Sequence, residues 1–246
     1  MQENILNIET STSVCSVSVC KGESIVAYRE SLTGKSHASM LTVFIGEAME
    51  EAGLKFKDLS AVAVSRGPGS YTGLRIGVST AKGICYAADL QLISVDTLKI
   101  MAHKVISMAA PGEPALHSTQ AAGPGEGDKE KLLLCPMIDA RRMEVYMALF
   151  DYRGNQVSKI SAEIIDDKSF SSYTEANKIM FFGDGAEKCR KVLEGNNTSF
   201  IPGIYPSSRE MVPLALKYLH EERFEDTAYF EPFYLKDFIA TTPRQK

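Results

Sequence analysis

One stretch of the sequence decides how the chain folds: Gly67-Pro68-Gly69-Ser70-Tyr71-Thr72-Gly73-Leu74-Arg75-Ile76-Gly77. It follows the apolar run Ala61-Val62-Ala63-Val64, which is typical of a buried strand, and it leads into a proline-free segment that is long enough for a helix. The glycines indicate a backbone that turns sharply or lies very close to another part of the molecule. The stretch is therefore predicted to join a strand to a helix.

Two interpretations of this junction are open. Free N–H groups at a helix N-terminus, aided by the helix dipole, form a natural anion site, and the alternative is a tight turn that binds no ligand. The glycines fit neither a Walker A loop nor the dinucleotide-binding G-x-G-x-x-G motif, because they fall at positions 67, 69 and 73 and no Gly-Lys-Ser/Thr follows. We favour the structural junction and keep the anion site as the alternative.

The rest of the chain repeats one pattern. Residues 4–31 alternate as three strands of an antiparallel meander, and a helix over His37–Ala52 is expected between a Ser36 cap and Gly53. After a Pro-, Gly- and Ser-rich segment at 109–131, read as a flexible linker, the strand pattern restarts at Leu132. Two stacked subdomains of the same α/β topology are predicted.

The helix after the glycine junction has a bare face. Gly73, Gly77, Ala81 and Cys85 recur every four residues, so they share one side of the helix and allow another backbone to come close. We expect a partner helix on this side.

Composition and charge limit the function. The 246 residues include 27 Lys and Arg against 31 Asp and Glu, which gives a net charge of −4 and argues against an extended nucleic-acid-coating surface but leaves room for a local basic patch. No apolar run is long enough to span a membrane and no signal-peptide leader is seen, so a cytoplasmic location is expected. The five cysteines form no C-x-x-C pair and are interpreted as reduced core thiols.

Few residues are arranged for catalysis. The four histidines have no acid or serine partner at a recognisable spacing, and no HExxH motif occurs, so neither a catalytic nor a metal site is predicted. Glu9 and Asp139 follow strands at equivalent turns of the two halves, where an acid could hold a phosphate-bound metal or could instead accept hydrogen bonds from turn N–H groups. An anion or nucleotide site, if one persists, would comprise Glu9, Thr10, Ser11, Gly67, Gly69 and Asp139.

Three segments together resemble the TsaB (YeaZ) family, the bacterial partner proteins in the synthesis of threonylcarbamoyladenosine next to the tRNA anticodon: residues 5–11, residues 67–77 and the run Met137-Ile138-Asp139-Ala140-Arg141-Arg142-Met143-Glu144-Val145-Tyr146. The resemblance implies the α/β fold of the actin-like ATPase superfamily (ASKHA), with two ribonuclease-H-like subdomains. The predicted organisation is an N-terminal subdomain at 1–105, a linker or loop at 106–131, a smaller subdomain at 132–222 and a C-terminal tail at 223–246.

The resemblance also implies a role. The catalytic paralogue TsaD carries a metal-binding histidine pair, whereas this chain has only His37 in the corresponding helix, so a non-catalytic subunit that binds and activates TsaD is expected, together with the ATPase TsaE. A homodimer is expected without TsaD, tRNA is expected to bind through the complex, and no cofactor is expected apart from a nucleotide that could bind at the partner junction. The alternatives are an ATP-dependent enzyme that uses Glu9 and Asp139, or a peptidase.

The partner interface implied by the resemblance lies on the two predicted helices after residues 36 and 70. It comprises Met40, Leu41, Phe44, Ile45, Ala48, Gly73, Gly77, Thr80, Ala81 and Ile84. On this basis Gly77→Arg is expected to abolish pairing without unfolding the chain.

Overall fold

The computed structural model describes residues 3–32, 37–108 and 131–236. Most of the predicted linker, the Ser36 cap and the last ten residues of the predicted tail lie outside the described residues. The elements, in chain order, are β1 (Asn4–Glu9), β2 (Cys15–Lys21), β3 (Ser24–Ser31), α1 (His37–Ala52), β4 (Ala61–Gly67), α2 (Tyr71–Ala88), β5 (Gln91–Asp96), α3 (Thr97–Met108), β6 (Leu132–Asp139), β7 (Glu144–Met147), β8 (Phe150–Asp151), β9 (Ser161–Ile164), α4 (Ser171–Thr174), β10 (Lys178–Phe182), α5 (Ala186–Leu193), β11 (Thr198–Ile201) and α6 (Ser208–His220).

The first sheet has the strand order β3-β2-β1-β4-β5. The meander β1–β2–β3 is antiparallel, while β4 and β5 run parallel to β1, with Ile8 opposite Val64. The central strands carry apolar residues on both faces because helices cover both sides of the sheet, as is usual for parallel strands. The parallel arrangement brings the carboxyl ends of β1, β4 and β5 to one edge.

The second sheet repeats the plan of the first. Its order is β11-β10-β6-β7-β9, with β8 also paired to β6, and the strands β11, β10 and β6 are parallel whereas β7 is antiparallel to β6. Helix α3 lies between the sheets, since Ile100 packs into the core of the first sheet and Leu98, Met101 and Val105 pack into that of the second. The predicted two-part α/β fold is confirmed.

Helix α6 does not pack where the sequence places it. The prediction assigns it to the second subdomain, 132–222, but Met211, Val212 and Ala215 contact Ile5, Ala63 and other residues of the first sheet. Each fully buried side chain of this size contributes about 1.5–3 kcal/mol, so the contact fixes α6 firmly on the face opposite α1 and α2. The helix also begins three residues earlier than expected.

The chain after α6 runs back across the first sheet. This C-terminal strap (residues 223–236) donates a hydrogen bond from Glu225 N to the carbonyl oxygen of Leu92 on β5 (2.8 Å) and another from Phe233 N to that of Arg66 on β4 (2.7 Å). The Lys82 ammonium of α2 donates to the carbonyl oxygens of Ala228 (3.2 Å) and Phe230 (2.8 Å). The strap is thus tied to two strands and one helix.

All five cysteines are buried and free, as expected from the sequence. Burial raises the pKa of Cys15 and of Cys85 to about 11, so both remain thiols at neutral pH. Within the described ranges, none of the helices is long and apolar enough to cross a membrane.

Candidate functional site

The glycine junction holds the turn after β1. Ser70 N donates to the carbonyl oxygen of Ser11 (2.6 Å), and the Ser70 hydroxyl caps α2 by accepting from Gly73 N (3.3 Å). A Cβ atom at Gly69 would overlap the carbonyl oxygen of Ser11, and one at Gly73 would overlap that of Thr10. The glycines are therefore needed for close contact between two parts of the same chain, as the structural interpretation predicts.

The bare face of α2 is an internal face. Gly77 lies against the Thr10 hydroxyl, which donates to the carbonyl oxygen of Gly73 (2.8 Å), while Ala81 and Cys85 are buried in the core beneath. The expectation that a partner helix fills this face is wrong, because the turn after β1 already fills it. Gly77→Arg would disrupt this packing, so the expectation that it leaves the fold intact is also wrong.

The predicted interface residues divide into two groups. Six of them are buried within the chain itself: Leu41, Ile45, Ala48, Gly73, Gly77 and Ala81. The other four are half-buried: Met40, Phe44, Thr80 and Ile84. Only the second group lies at the surface, and its role in pairing stays a prediction.

The outward face of α1 and α2 carries different residues from those predicted. Val43 on α1 is 53% exposed and Tyr86 on α2 is 88% exposed, which is high for large apolar and aromatic side chains. Gly46 on α1 and Gly83 on α2 are also exposed, and nothing lies within 4 Å of a Cβ atom added at either. We call these four residues, with the half-buried Met40, Phe44, Thr80 and Ile84, the outer helix face.

Glu9, the predicted acid of the first sheet, is sealed inside the protein. Its Oε1 accepts hydrogen bonds from Ser11 N (2.6 Å) and the Ser65 hydroxyl (3.0 Å), while Oε2 is buried without a hydrogen-bond partner among the described residues. Burial raises the pKa of Glu9 to about 6, and hydrogen bonding from Ser11 and Ser65 limits the rise. A carboxylate with no exposed surface is poorly placed to hold a phosphate-bound metal.

Asp139, the predicted acid of the second sheet, lies in a different environment. It is exposed at the end of β6, where Oδ1 accepts a hydrogen bond from Arg141 N (2.8 Å) and forms an ion pair with the Lys188 ammonium of α5. Lys188 also donates to the carbonyl oxygen of Glu144 (2.7 Å). Asp139 is thus held in the turn by its own neighbours, as the structural alternative expects.

Two of the histidines, His37 and His220, also have structural partners. His37 at the start of α1 hydrogen-bonds through Nε2 to the carbonyl oxygen of Thr12 (2.7 Å), and the Nε2 atom of His220 contacts the Glu3 carboxylate (2.9 Å). Among the residues that the structure describes, no group of three His, Cys, Asp or Glu side chains could hold a metal ion.

Sequence reasoning missed a set of surface residues at the carboxyl edge. Arg141 and Arg142, in the turn after β6, have left-handed φ angles of 73° and 51°, which arginine seldom adopts. Tyr234 of the strap packs against Tyr71 at the start of α2, with ring centroids 4.9 Å apart and ring planes inclined at 39°. No pattern in the sequence predicts either feature, since both depend on tertiary contacts.

Comparison with known proteins decides the family. The family model described as TsaD, tRNA N6-adenosine threonylcarbamoyltransferase, matches residues 30–243, which is most of the chain. The chain belongs to this family. The protein "tRNA threonylcarbamoyladenosine biosynthesis protein TsaB" of Escherichia coli K12 is 27% identical over 247 residues, covering 96% of each chain. The resemblance to TsaB (YeaZ) is thereby confirmed.

Other relatives agree with this assignment. The TsaB protein of Bacillus subtilis is 26% identical over 156 residues, which cover 63% of this chain and 58% of that protein. A tRNA N6-adenosine threonylcarbamoyltransferase of Halalkalibacterium halodurans is 48% identical over 64 residues, only 26% of this chain and 19% of the relative. The solved structure of YeaZ from Pseudomonas aeruginosa is similar at a TM-score of 0.72 and 20% identity, covering 95% of this chain and 100% of that one. This last likeness supports the fold.

Proposed function

We propose that the chain acts in the cytosol as a non-catalytic subunit in the biosynthesis of threonylcarbamoyladenosine in tRNA. In this role it binds and activates a TsaD-type transferase, and a TsaE-type ATPase completes the complex. Family membership supports the pathway, because the full-length relative from E. coli is named for this biosynthesis. The acids of both sheets support the non-catalytic role, because Glu9 is fully buried and Asp139 is ion-paired with Lys188.

One observation carries the proposed partner interaction: the outer helix face exposes a large apolar side chain and an aromatic one beside two glycines. Val43 and Tyr86 would bury substantial apolar area against a partner, and tyrosine is enriched in the energetically important centres of interfaces. Gly46 and Gly83 would let a partner helix approach closely. A TsaD-type enzyme fits as the partner, because the chain shares its family with these enzymes and paired relatives can present the same helices to each other. By the same argument, two copies of this chain would pair when the enzyme is absent.

Reconstitution tests the function. The chain, a TsaD-type enzyme and a TsaE-type ATPase are incubated with tRNA, ATP and the threonylcarbamoyl donor, and modified adenosine is measured by mass spectrometry with and without the chain. We expect modification to fall at least about tenfold when the chain is omitted, as for the loss of a partner that completes an active site. Undiminished modification would end the proposal.

The outer helix face is tested with two matched variants. Val43→Arg places a charge on this face, and Val157→Arg places the same charge at a valine of similar exposure (50%) on the second sheet's side of the molecule. We expect Val43→Arg to abolish co-elution with the TsaD-type enzyme in size-exclusion chromatography, while Val157→Arg co-elutes as the wild type does. Equal behaviour of the two variants would remove the outer helix face from the proposal.

A further inference from the structure

Aromatic rings and cationic side chains lie along the carboxyl edge of both sheets. The Arg75 guanidinium lies over the Tyr71 ring and donates to its hydroxyl (3.0 Å), and the Tyr71 ring packs against that of Tyr234 at a tilt. Two residues later, Lys236 pairs with Glu144 on β7 and lies 5.8 Å from the ring centroid of Tyr146. The turn after β6, in which Glu144 N donates to the carbonyl oxygen of Arg141, adds two further arginines. We call this set of residues the aromatic–cationic band, and it comprises Tyr71, Arg75, Arg141, Arg142, Tyr146, Tyr234 and Lys236.

The three arginines of the band are available for a ligand. Arg75, Arg141 and Arg142 are exposed, and none of them has a carboxylate partner among the described residues. Two acids next to the turn after β6 are already engaged: Asp139 by Lys188, and Glu144 by Lys236. Asp184 accepts a backbone hydrogen bond from Asp139 (3.0 Å), and Glu231 is exposed further along the strap. The band therefore offers guanidinium groups that have no carboxylate partner among the described residues, on a chain whose net charge is −4.

The backbone holds the two neighbouring arginines in place. Both are in the left-handed region, which costs a non-glycine residue roughly 1 kcal/mol or more. The turn is fixed from both sides, since Glu144 N donates to the carbonyl oxygen of Arg141 (3.1 Å) and Ala140 N donates to that of Glu144 (3.0 Å). The two arginine side chains therefore extend from a rigid backbone, which reduces the conformational entropy lost when they bind a ligand.

We propose that the aromatic–cationic band binds single-stranded or loop RNA directly. Guanidinium groups match phosphate oxygens in a bidentate geometry, and an exposed tyrosine ring such as that of Tyr234 can stack on an unpaired base. An acidic protein would satisfy the arginines but would not use the exposed part of the Tyr234 ring, on which an unpaired base can stack, and this favours RNA. This inference rests on the proposed function, in which tRNA is the substrate, and it adds that this subunit itself contacts the RNA.

Fluorescence anisotropy of a labelled tRNA anticodon stem–loop, titrated with the full chain at several salt concentrations, tests the proposal. The test variant is Arg141→Asn with Arg142→Asn, because asparagine tolerates left-handed φ angles and the turn keeps its shape. The control is Arg153→Asn with Lys159→Asn, which removes the same charge from exposed positions after β8, a strand that pairs with the opposite end of β6. We expect the test variant to bind about tenfold more weakly and its salt slope to fall by roughly 0.7 per lost phosphate contact, with the control unchanged.

A second variant examines stacking. Tyr234→Ala is expected to weaken binding of the stem–loop roughly tenfold, in the range found for single base–aromatic stacks, and to leave the salt slope unchanged because no charge is removed. Circular dichroism of each variant confirms that the fold is retained.

Several outcomes would overturn the proposal. Wild-type affinity of the Asn variant, or an equal loss in the control, would mean that the band does not contact RNA. Displacement of the RNA by polyglutamate as readily as by unlabelled RNA would assign the band to an acidic protein instead. Co-elution of the same variants with the TsaD-type enzyme separates the two proposals: lost RNA binding with intact co-elution supports the band, and unchanged RNA binding with intact co-elution refutes the band while the proposed function stands.

Discussion

Replacing Gly73 or Gly83 of α2 with alanine should change the stability of the protein in opposite directions. Gly73 and Gly83 lie on the same helix, and the same methyl group is added to each. At Gly83 nothing lies within 4 Å of the new Cβ, so only the higher helix propensity of alanine acts, and stability should rise by about 0.5–1 kcal/mol. At Gly73 the methyl group overlaps the carbonyl oxygen of Thr10.

The cost at Gly73 follows from how firmly Thr10 is held. Thr10 is fully buried, its hydroxyl donates to the carbonyl oxygen of Gly73 (2.8 Å), and the next residue accepts from Ser70 N (2.6 Å). Making room for the methyl group forces the turn away from α2, which costs about 1–3 kcal/mol for overpacking and about 1 kcal/mol for a weakened hydrogen bond. We expect Gly73→Ala to lower the free energy of unfolding by about 2–4 kcal/mol.

Thermal unfolding followed by circular dichroism measures the difference. At roughly 2–4 °C per kcal/mol for a chain of this size, Gly73→Ala should lower the Tm by roughly 5–15 °C and Gly83→Ala should raise it by roughly 1–4 °C. The decisive quantity is the difference in Tm between the two variants. If Gly73→Ala is as stable as Gly83→Ala, the turn after β1 does not fill the glycine face of α2 and our account of the junction is wrong.

Two further predictions concern the buried acid and the strap. Because the pKa of Glu9 is raised from 4.5 to about 6, the folded state holds this proton more tightly than the unfolded state, so Glu9 alone should lower the stability of the wild type by about 2 kcal/mol as pH rises from 4 to 7. The Glu9→Gln variant should not show this decrease in stability. If urea unfolding shows that the wild type and the variant change in stability equally with pH, the raised pKa of Glu9 is wrong. Lys82→Met removes two hydrogen bonds to the strap and should speed amide exchange at Glu225, whereas Lys57→Met, at an exposed site, should not.

Local signals explain the elements that the sequence predicts well. The sequence predicts the helix over His37–Ala52 with the bounds that the structure has, because its apolar stripe ends before Gly53. That glycine has the left-handed φ angle (65°) of a helix stop. The strand, glycine turn and helix at residues 61–88 follow for the same reason. Both assignments need only residues close together in the chain.

Contacts distant in sequence explain what the sequence misses. The four-residue spacing of Gly73, Gly77 and Ala81 reveals a bare helix face but not its neighbour, which is a turn more than sixty residues earlier. Helix α6 is apolar around much of its circumference, so its pattern does not say which sheet it covers. Arg141 and Arg142 adopt left-handed φ angles, which arginine seldom does, so the sequence alone does not predict them. The hydrogen bonds around the turn explain why these angles are tolerated.

Helix α2 connects the two surfaces to which we assign binding. Its inner face is fixed by the turn after β1, which leaves the orientation of the helix little freedom. Tyr71 and Arg75 in its first turns therefore begin the aromatic–cationic band, and Tyr86 in its last turn belongs to the outer helix face. A partner bound at one end of α2 and an RNA bound at the other would share a single rigid support. Since both ligands would dock without moving the helix, their binding energies should be additive, and the variants that remove one should leave the other unchanged.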